Sequence, residues 1–380
     1  MCYNEYGAIA LRHKKGTAAA VPRAAFVAPK TLQKGKCMIY LIDPAKRQYK
    51  ANLHCHSVLS DGHKTPEELK EAYKANGYSI LAITDHERPA SHQHLADEDF
   101  IILTGYECYI RPDPQGRYNV YNKEVHLNLF ARDPENVKLI CYNENYTRYA
   151  KRDGALDSLV RAGSERPREF TREYINDYIR TAIEHGYLVA YNHPYWSMQD
   201  EADILSYDGI FSLEIANYGS YIMNGLEHCA PLYDKMLCAG KHIFCHAADD
   251  NHNAAKDGSP DSDSYGAFTV MMPKELTYNG VIGAMESGDM YASMGPTISE
   301  LSINGDTLRI ECSGVRHIYV YFGSKRPAFV NAADEPLTSA DIKIDPSARY
   351  VRVGIMDGAG HWANTRGFTR AEVGLPPLAL

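Results

Sequence analysis

Asn52-Leu-His-Cys-His-Ser-Val-Leu-Ser-Asp-Gly62 carries two histidines two positions apart, His54 and His56, where an apolar segment runs out into polar residues. In an extended strand the side chains of residues i and i+2 point to one face, so the two imidazoles converge as two ligands of one metal ion must. Asp61 follows at once in a Ser-Asp-Gly turn and brings a carboxylate to the same neighbourhood. A histidine pair of this spacing also arises by chance on a surface or in a satisfied core. The two readings part on whether other ligand-type residues stand in equivalent places along the chain.

Working outward, residues 37–42 and 48–53 read as strands, the second delivering His54. Next comes a helix with a marked start: Thr65 as cap, Pro66 in the first turn and Glu68 three residues after the cap, with Gly77 as its stop. The apolar run 80–83 ends in Thr84-Asp85-His86, and the run 100–103 leads to Glu107. The run 125–130 contains His126, 187–190 leads to His193-Pro194, and 211–213 leads to Glu214. Residues 242–245 lead to His246 and then Asp250-Asn251-His252. Amphipathic helices are expected over 171–185 and 278–287, each stopped by a glycine. About seven strands with ligand-type residues at their ends, alternating with helices, predict an α/β fold built on a parallel barrel whose active site lies at the carboxyl ends of the strands.

Two stretches break this rhythm. Residues 142–167 are polar, carry Arg148, Lys151, Arg152 and Arg161, and read as a lid or a loop inserted after a ligand-bearing strand. After Gly295-Pro296 short alternating runs are separated by Asn304-Gly305 and Asp357-Gly358 turns, the pattern of a small antiparallel β domain. The 380 residues thus divide into a leader over 1–36, a barrel over 37–295 and a β-rich domain over 296–380. A formal net charge of −8 gives no basic field, which disfavours a nucleic-acid partner. Nine scattered cysteines without a C-x-x-C pair point to reduced thiols, and no run has the length of a signal or membrane-spanning segment, so a cytoplasmic protein with no membrane partner is expected.

The constellation His54, His56, Asp61, His86, Glu107, His126, His193, Asp250 and His252 resembles the PHP (polymerase and histidinol phosphatase) superfamily. Its first motif matches His54-Cys-His56 with Ser60-Asp61-Gly62, its second Ile83-Thr-Asp-His86, and its last Asp250-x-His252. The resemblance spans roughly residues 48–295 and implies a distorted (β/α)7 barrel with two to three divalent transition metal ions. It places His54, His56, Glu107 and Asp250 around one ion, Glu107, His126 and His193 around a second, and Asp61, His86 and His252 around a third. Asp61 stands where some members carry histidine. Such a donor set suits Zn, Mn or Fe rather than Ca.

The expected activity is that of a metal-dependent phosphoesterase using activated water on a small phosphorylated metabolite or nucleotide. Glu107, Asp250 and His252 are expected at the chemistry, and Arg88, Asn217 and His246 as substrate contacts. Glu214 and His246 are equally suited to fixing the tautomers of the ligands. A barrel followed by a short β domain, entered through Ser293-Met-Gly-Pro296, looks like the carbaryl-hydrolase-like branch, which implies a carbamate or ester hydrolase as the alternative. A metal-stabilised binding module without catalysis is the reading of a different class.

Overall fold

The computed structural model describes residues 38–378; the leader expected over 1–36 lies outside the described residues. Strands β1 (Ile39–Ile42) and β2 (Tyr49–Asn52) open the chain, and helix α1 (Pro66–Ala75) follows. The capping box expected there is present: the Thr65 hydroxyl accepts from the Glu68 N–H, and the Glu68 carboxylate accepts from the Thr65 N–H at 2.8 Å. Leu69 and Tyr73 give α1 its buried face. Next come β3 (Tyr78–Ile83), β4 (Ile101–Ile110), β5 (Val125–Ala131), β6 (Lys138–Ile140), α2 (Arg148–Arg152), β7 (Val160–Ala162) and α3 (Arg172–Glu184). The region closes with β8 (Tyr187–Tyr191), α4 (Glu201–Leu205), β9 (Ser212–Asn217), α5 (Tyr218–Asn224), α6 (Ala230–Cys238), β10 (Phe244–Ala248), β11 (Phe268–Met271), α7 (Tyr278–Ser287) and β12 (Met290–Ser293).

Seven of these strands lie side by side in the order β10-β9-β8-β5-β4-β3-β2, and β4, β5, β8 and β9 are buried along their whole lengths. Two features correct the expected parallel (β/α)7 barrel. β5 runs antiparallel to both β4 and β8, because residues 111–124 return the chain without the helix that a parallel crossover uses. The ladder also does not close. The outer edge of β2 is taken by β11, with Thr269 opposite Ala51, and the Thr269 hydroxyl bonds the backbone of Ala247 in β10. β11 therefore stands where β2 and β10 would have met, and past their ends the two lines of chain meet at the bridge Cys55–Asn251.

Beyond residue 295 come β13 (Ile298–Asn304), β14 (Thr307–Val315), β15 (His317–Tyr321), β16 (Ala328–Asn331), β17 (Leu337–Lys343), β18 (Tyr350–Met356), β19 (Trp362–Thr365) and β20 (Phe368–Thr369). β1, β13, β14 and β17 make a four-stranded sheet, while β12 pairs with β19 and carries the large sheet on through β18, β15 and β16. These strands close over a core of their own that includes Leu301, Ile310, Val320, Val353 and Ile355.

A chain of polar contacts ties α6 to these last strands. Asp234 of α6 accepts from Arg352 Nε at 2.6 Å and from the Tyr350 hydroxyl at 2.6 Å; Arg352 Nη1 donates to Asn364 Oδ1 at 3.0 Å. That bond orients the Asn364 amide, so its NH₂ faces His228 Nε2 at 3.0 Å and the imidazole must accept. His228 also stacks on Trp362, with ring centroids 5.4 Å apart. Burial and the nearby Arg352 push the His228 imidazole down to about 4. The sign follows: the unfolded chain takes up a proton near pH 6.5 and the folded one only near pH 4, so stability present above pH 6.5 is lost as pH falls between those values. The loss is roughly 3 kcal/mol at most. His228→Gln, which keeps an acceptor and removes the titration, is expected to flatten the fall in unfolding free energy between pH 6.5 and 4; an unchanged slope in denaturant titrations would contradict this account.

Candidate metal centre

Backbone hydrogen bonds bring the sequence motifs together before any side chain is considered. Asp250 N–H donates to His54 O at 3.0 Å, His56 N–H to Asn251 O at 3.0 Å and His63 N–H to His252 O at 2.8 Å, stapling the first motif to the last. The second is stapled to β4 in the same way, by Glu107 N–H to Thr84 O at 3.0 Å and Glu87 N–H to Glu107 O at 2.8 Å. The reversed direction of β5 explains a detail of the sequence. His126 stands at the beginning of its strand, yet it opens onto the same rim as the carboxyl ends of the neighbours. His193 and Asp250 hold positive φ values of 22° and 53°, a conformation L-residues rarely keep outside sites that need it.

Glu107 is the centre of the cluster. Its Oε1 lies 3.0 Å from His126 Nδ1, 3.2 Å from His193 Nε2 and 3.4 Å from His54 Nε2; its Oε2 lies 2.9 Å from His86 Nδ1 and 3.5 Å from His56 Nε2. Asp250 Oδ1 stands 3.1 Å from His54 Nε2 and 3.0 Å from His56 Nε2. Asp61 forms a second focus, 3.7 Å from His56 Nδ1, 3.6 Å from His86 Nε2 and 3.7 Å from His252 Nε2. All nine residues singled out as ligands thus stand in one cluster. Three groupings have ligand atoms close enough to share an ion: His54, His56, Glu107 and Asp250; His86, Glu107 and His126; and His56, Asp61, His86 and His252. A fourth, His54, His193 and Glu214, overlaps the first and was not foreseen.

Electrostatics describe the same arrangement. Burial pushes the Glu107 and Asp61 carboxyls up, but the surrounding imidazoles outweigh it and hold both well below the usual carboxylate range. Conversely, burial pushes the His126 imidazole down, and the Glu107 and Glu124 carboxylates bring it up to about 9. The donor set fits a divalent cation. Two imidazole nitrogens, His54 Nε2 and His56 Nε2, face each other at 3.2 Å, and the buried atoms Asp61 Oδ1 and His126 Nε2 have no hydrogen-bond partner. Imidazole N and carboxylate O donors so placed suit a divalent metal ion.

Residues 52–193 match the model of the PHP domain. Among solved structures, a two-domain protein containing a predicted PHP-like metal-dependent phosphoesterase from Bacteroides vulgatus ATCC 8482 is similar over 89% of this chain and 100% of its own, at 14% identity and a TM-score of 0.41. A provisionally assigned metal-dependent phosphoesterase from Bifidobacterium adolescentis ATCC 15703 covers 55% of this chain and 90% of its own, at 17% identity and a TM-score of 0.35. An amidohydrolase from Chromobacterium violaceum, with bound sulfate and no metal, covers 53% and 87%, at 16% identity and a TM-score of 0.34. These likenesses are too loose to carry a function across, and they do not single out the carbaryl-hydrolase-like branch. No curated protein matches the chain.

Around the cluster lies a set of groups that aim its side chains. Glu214, fully buried, accepts from His54 Nδ1 at 3.0 Å and from the His193 N–H at 2.9 Å, so His54 presents its Nε2 lone pair to the cluster. Asn217 donates to Glu214 at 2.8 Å and to Asp250 Oδ2 at 3.1 Å, so it holds ligands rather than opening into the cavity. His246, expected as a substrate contact, is wholly buried on Ser212 at 2.8 Å, and desolvation brings its imidazole down to about 4. Arg88, the third such expectation, points to Asp153 at 3.7 Å.

The insertion over 142–167 folds onto the first motif. Arg152 donates to Ser60 O at 2.9 Å and Val58 O at 2.8 Å, the Tyr149 hydroxyl donates to Asp61 Oδ2 at 2.9 Å, and Arg148 lines the cavity above the cluster. Lys151 stays outside, paired with Glu144. Tyr149, Asn192, which donates to Glu107 at 2.8 Å, and Asp85, which accepts from the Ser57 and Ser60 hydroxyls at 2.6 Å, were not picked out from sequence. Asn192 and Asp85 each adjoin a ligand histidine, the only signal they give. Glu214→Gln is expected to weaken metal retention about 10- to 100-fold by loosening His54, measured by competition with a chelator; retention equal to the parent protein would show that Glu214 does not aim this ligand.

Proposed function

We propose that this chain is a metal-dependent phosphoesterase that uses water to hydrolyse a small phosphorylated metabolite or nucleotide, with two to three Zn, Mn or Fe ions held by His54, His56, Asp61, His86, Glu107, His126, His193, Asp250 and His252. The observation that carries this reading is Glu107, whose two oxygens both lie among imidazoles, five in all within 3.5 Å. Divalent ions in such a cluster supply water of lowered pKa and neutralise charge on phosphoryl oxygens.

The chain's own residues do the remaining work. Glu107 and Asp250 keep the ligand groups at fixed spacing, and Asn217 holds Asp250 against Glu214. His252 is the most open imidazole of the cluster, its side chain 34% exposed, and its Nδ1 is fixed 3.0 Å from Asp250 O. Its Nε2 is therefore left to face the Asp61 focus, where it would hold an ion on the side of the cluster most open to a substrate. Arg148 supplies a cation at the cavity wall, where it would pair with a phosphate dianion. A net charge of −8 favours a small molecule over a polynucleotide as the substrate. The cytoplasm is the compartment that fits unpaired thiols; no helix among the described residues is long and apolar enough to cross a membrane.

Carbamate or ester hydrolysis on the same cluster is the second reading, favoured by the apolar side chains Trp196, Ile222 and Met223 in the cavity lining. A direct competition separates the two. Inorganic phosphate is expected to inhibit at millimolar levels, and a phosphoester to exceed an aryl carbamate in kcat/KM by about 100-fold or more, the scale of a positioned charge contact of roughly 3 kcal/mol. A carbamate that wins, or phosphate that fails to inhibit, would replace the first reading with the second.

A further inference from the structure

The cavity over the cluster, about 530 Å³, has one side that the reaction centre leaves unused. There the rings of Tyr118 and Trp196 lie nearly parallel, with centroids 6.2 Å apart and planes at 17°. Ile222 and Met223 of α5 line the same space. Trp196 meets the cluster edge-on, 5.4 Å from the His126 ring and 5.0 Å from the His193 ring. It is fixed from behind, because the buried carboxylate of Glu227 accepts from the N–H groups of Tyr195 at 3.1 Å and Trp196 at 2.7 Å. Tyr118 is 53% exposed and Met223 69% exposed. Large apolar side chains held in water at the lip of a reactive cavity are surface that a ligand covers. Neighbouring aromatic faces accept a flat π system in offset stacking, and a thioether adapts its shape to the ring it covers.

We infer that the substrate carries a flat aromatic group, which binds on the Tyr118–Trp196 face with Met223 beside it while the ester phosphorus reaches the cluster. The inference rests on the phosphoesterase reading and narrows it from small phosphorylated compounds to those bearing an aromatic ring. In the hydrolysis the water oxygen bonds to phosphorus and the P–O bond to the substrate's alcohol or phenol oxygen breaks with its electron pair on that oxygen. The proton given up by water ends there too, so no oxidant or further reactant is needed. The ring is either the leaving phenol itself or a heterocyclic base borne by the leaving alcohol; the stacking chemistry is common to both.

The test compares kcat/KM of the metal-loaded protein for a naphthyl phosphate, a nucleoside monophosphate and a butyl phosphate, in the parent chain and in Tyr118→Ala, Tyr118→Phe and Met223→Ala. At least one aromatic ester is expected to exceed the butyl ester by about tenfold, the scale of one good stacking contact. Tyr118→Ala should lose most of that preference through KM, and Tyr118→Phe should keep it. The naphthyl and nucleoside arms then distinguish the two sources of the ring. Equal use of aromatic and butyl esters, or a preference that survives both alanine variants, overturns the inference.

A binding measurement stands apart from turnover. The chain has two tryptophans, Trp196 and Trp362, so a Trp362→Phe background reports on Trp196 alone. Naphthyl phosphate is expected to quench it saturably, and Tyr118→Ala to weaken that binding about tenfold. Saturable quenching without hydrolysis of any phosphoester would defeat the phosphoesterase reading and leave the aromatic site standing; absence of quenching defeats the site itself.

Discussion

One buried negative charge organises this molecule. Glu107 is about 1% exposed, and an isolated carboxylate at such depth carries a desolvation penalty of several kcal/mol, so its surroundings must supply compensating charge and hydrogen bonds. They do so from four separate segments, since His54, His56, His86, His126 and His193 all turn a ring nitrogen toward it and Asn192 adds an amide donor. Without cations the imidazoles must hold part of that charge as protons. The raised pKa values of His54 and His126 are the mark of this arrangement, for in both the neighbouring carboxylates outweigh burial. A site with so much negative charge among neutral-capable nitrogens is built to exchange those protons for divalent ions.

Keeping nine ligand-type side chains in register is a task for backbone rather than side chains. The first and last motifs are joined by amide hydrogen bonds on either side of Cys55, and the second is joined to β4 at Glu107. Cys55 itself is buried and faces away among Leu69, Tyr73 and Ile83. Behind Glu107 and His86, Arg168 makes a fully buried two-pronged pair with Glu87 and donates to Tyr109 O at 2.6 Å, so the end of the insertion is pinned to the strand that carries the central carboxylate. Breaking such a pair from one side strands a buried charge, which makes Arg168 a structural support of the site although it touches no ligand.

Much of this was legible in the sequence because local rules govern it. The spacing of His54 and His56, the capping box of Thr65 and Glu68, and the extent of α7 depend on neighbours within a few residues. The direction of β5 was not legible. His126 sits in an apolar run that reads the same for a strand entering or leaving the rim, and only the helix-free return over 111–124 hints at the reversal. Nor was the capture of β2's edge by β11, since the pairing of Thr269 with Ala51 joins residues far apart in the chain and is decided by packing. Polar strand-end residues such as Arg88, Asn217 and His246 look alike in sequence whether they face a substrate or brace a ligand. Burial separates them, and here Asn217 and His246 are wholly enclosed.

The account stands on the claim that Glu107 is shared between cations. Elemental analysis of the metal-replete protein beside Glu107→Gln addresses it most directly, because glutamine keeps the shape of the side chain and removes the charge that two ions would share. The account predicts at least two equivalents of transition metal per chain in the parent protein and the loss of about one or more in the variant. One equivalent or fewer in the parent, or an unchanged content in Glu107→Gln, would contradict it.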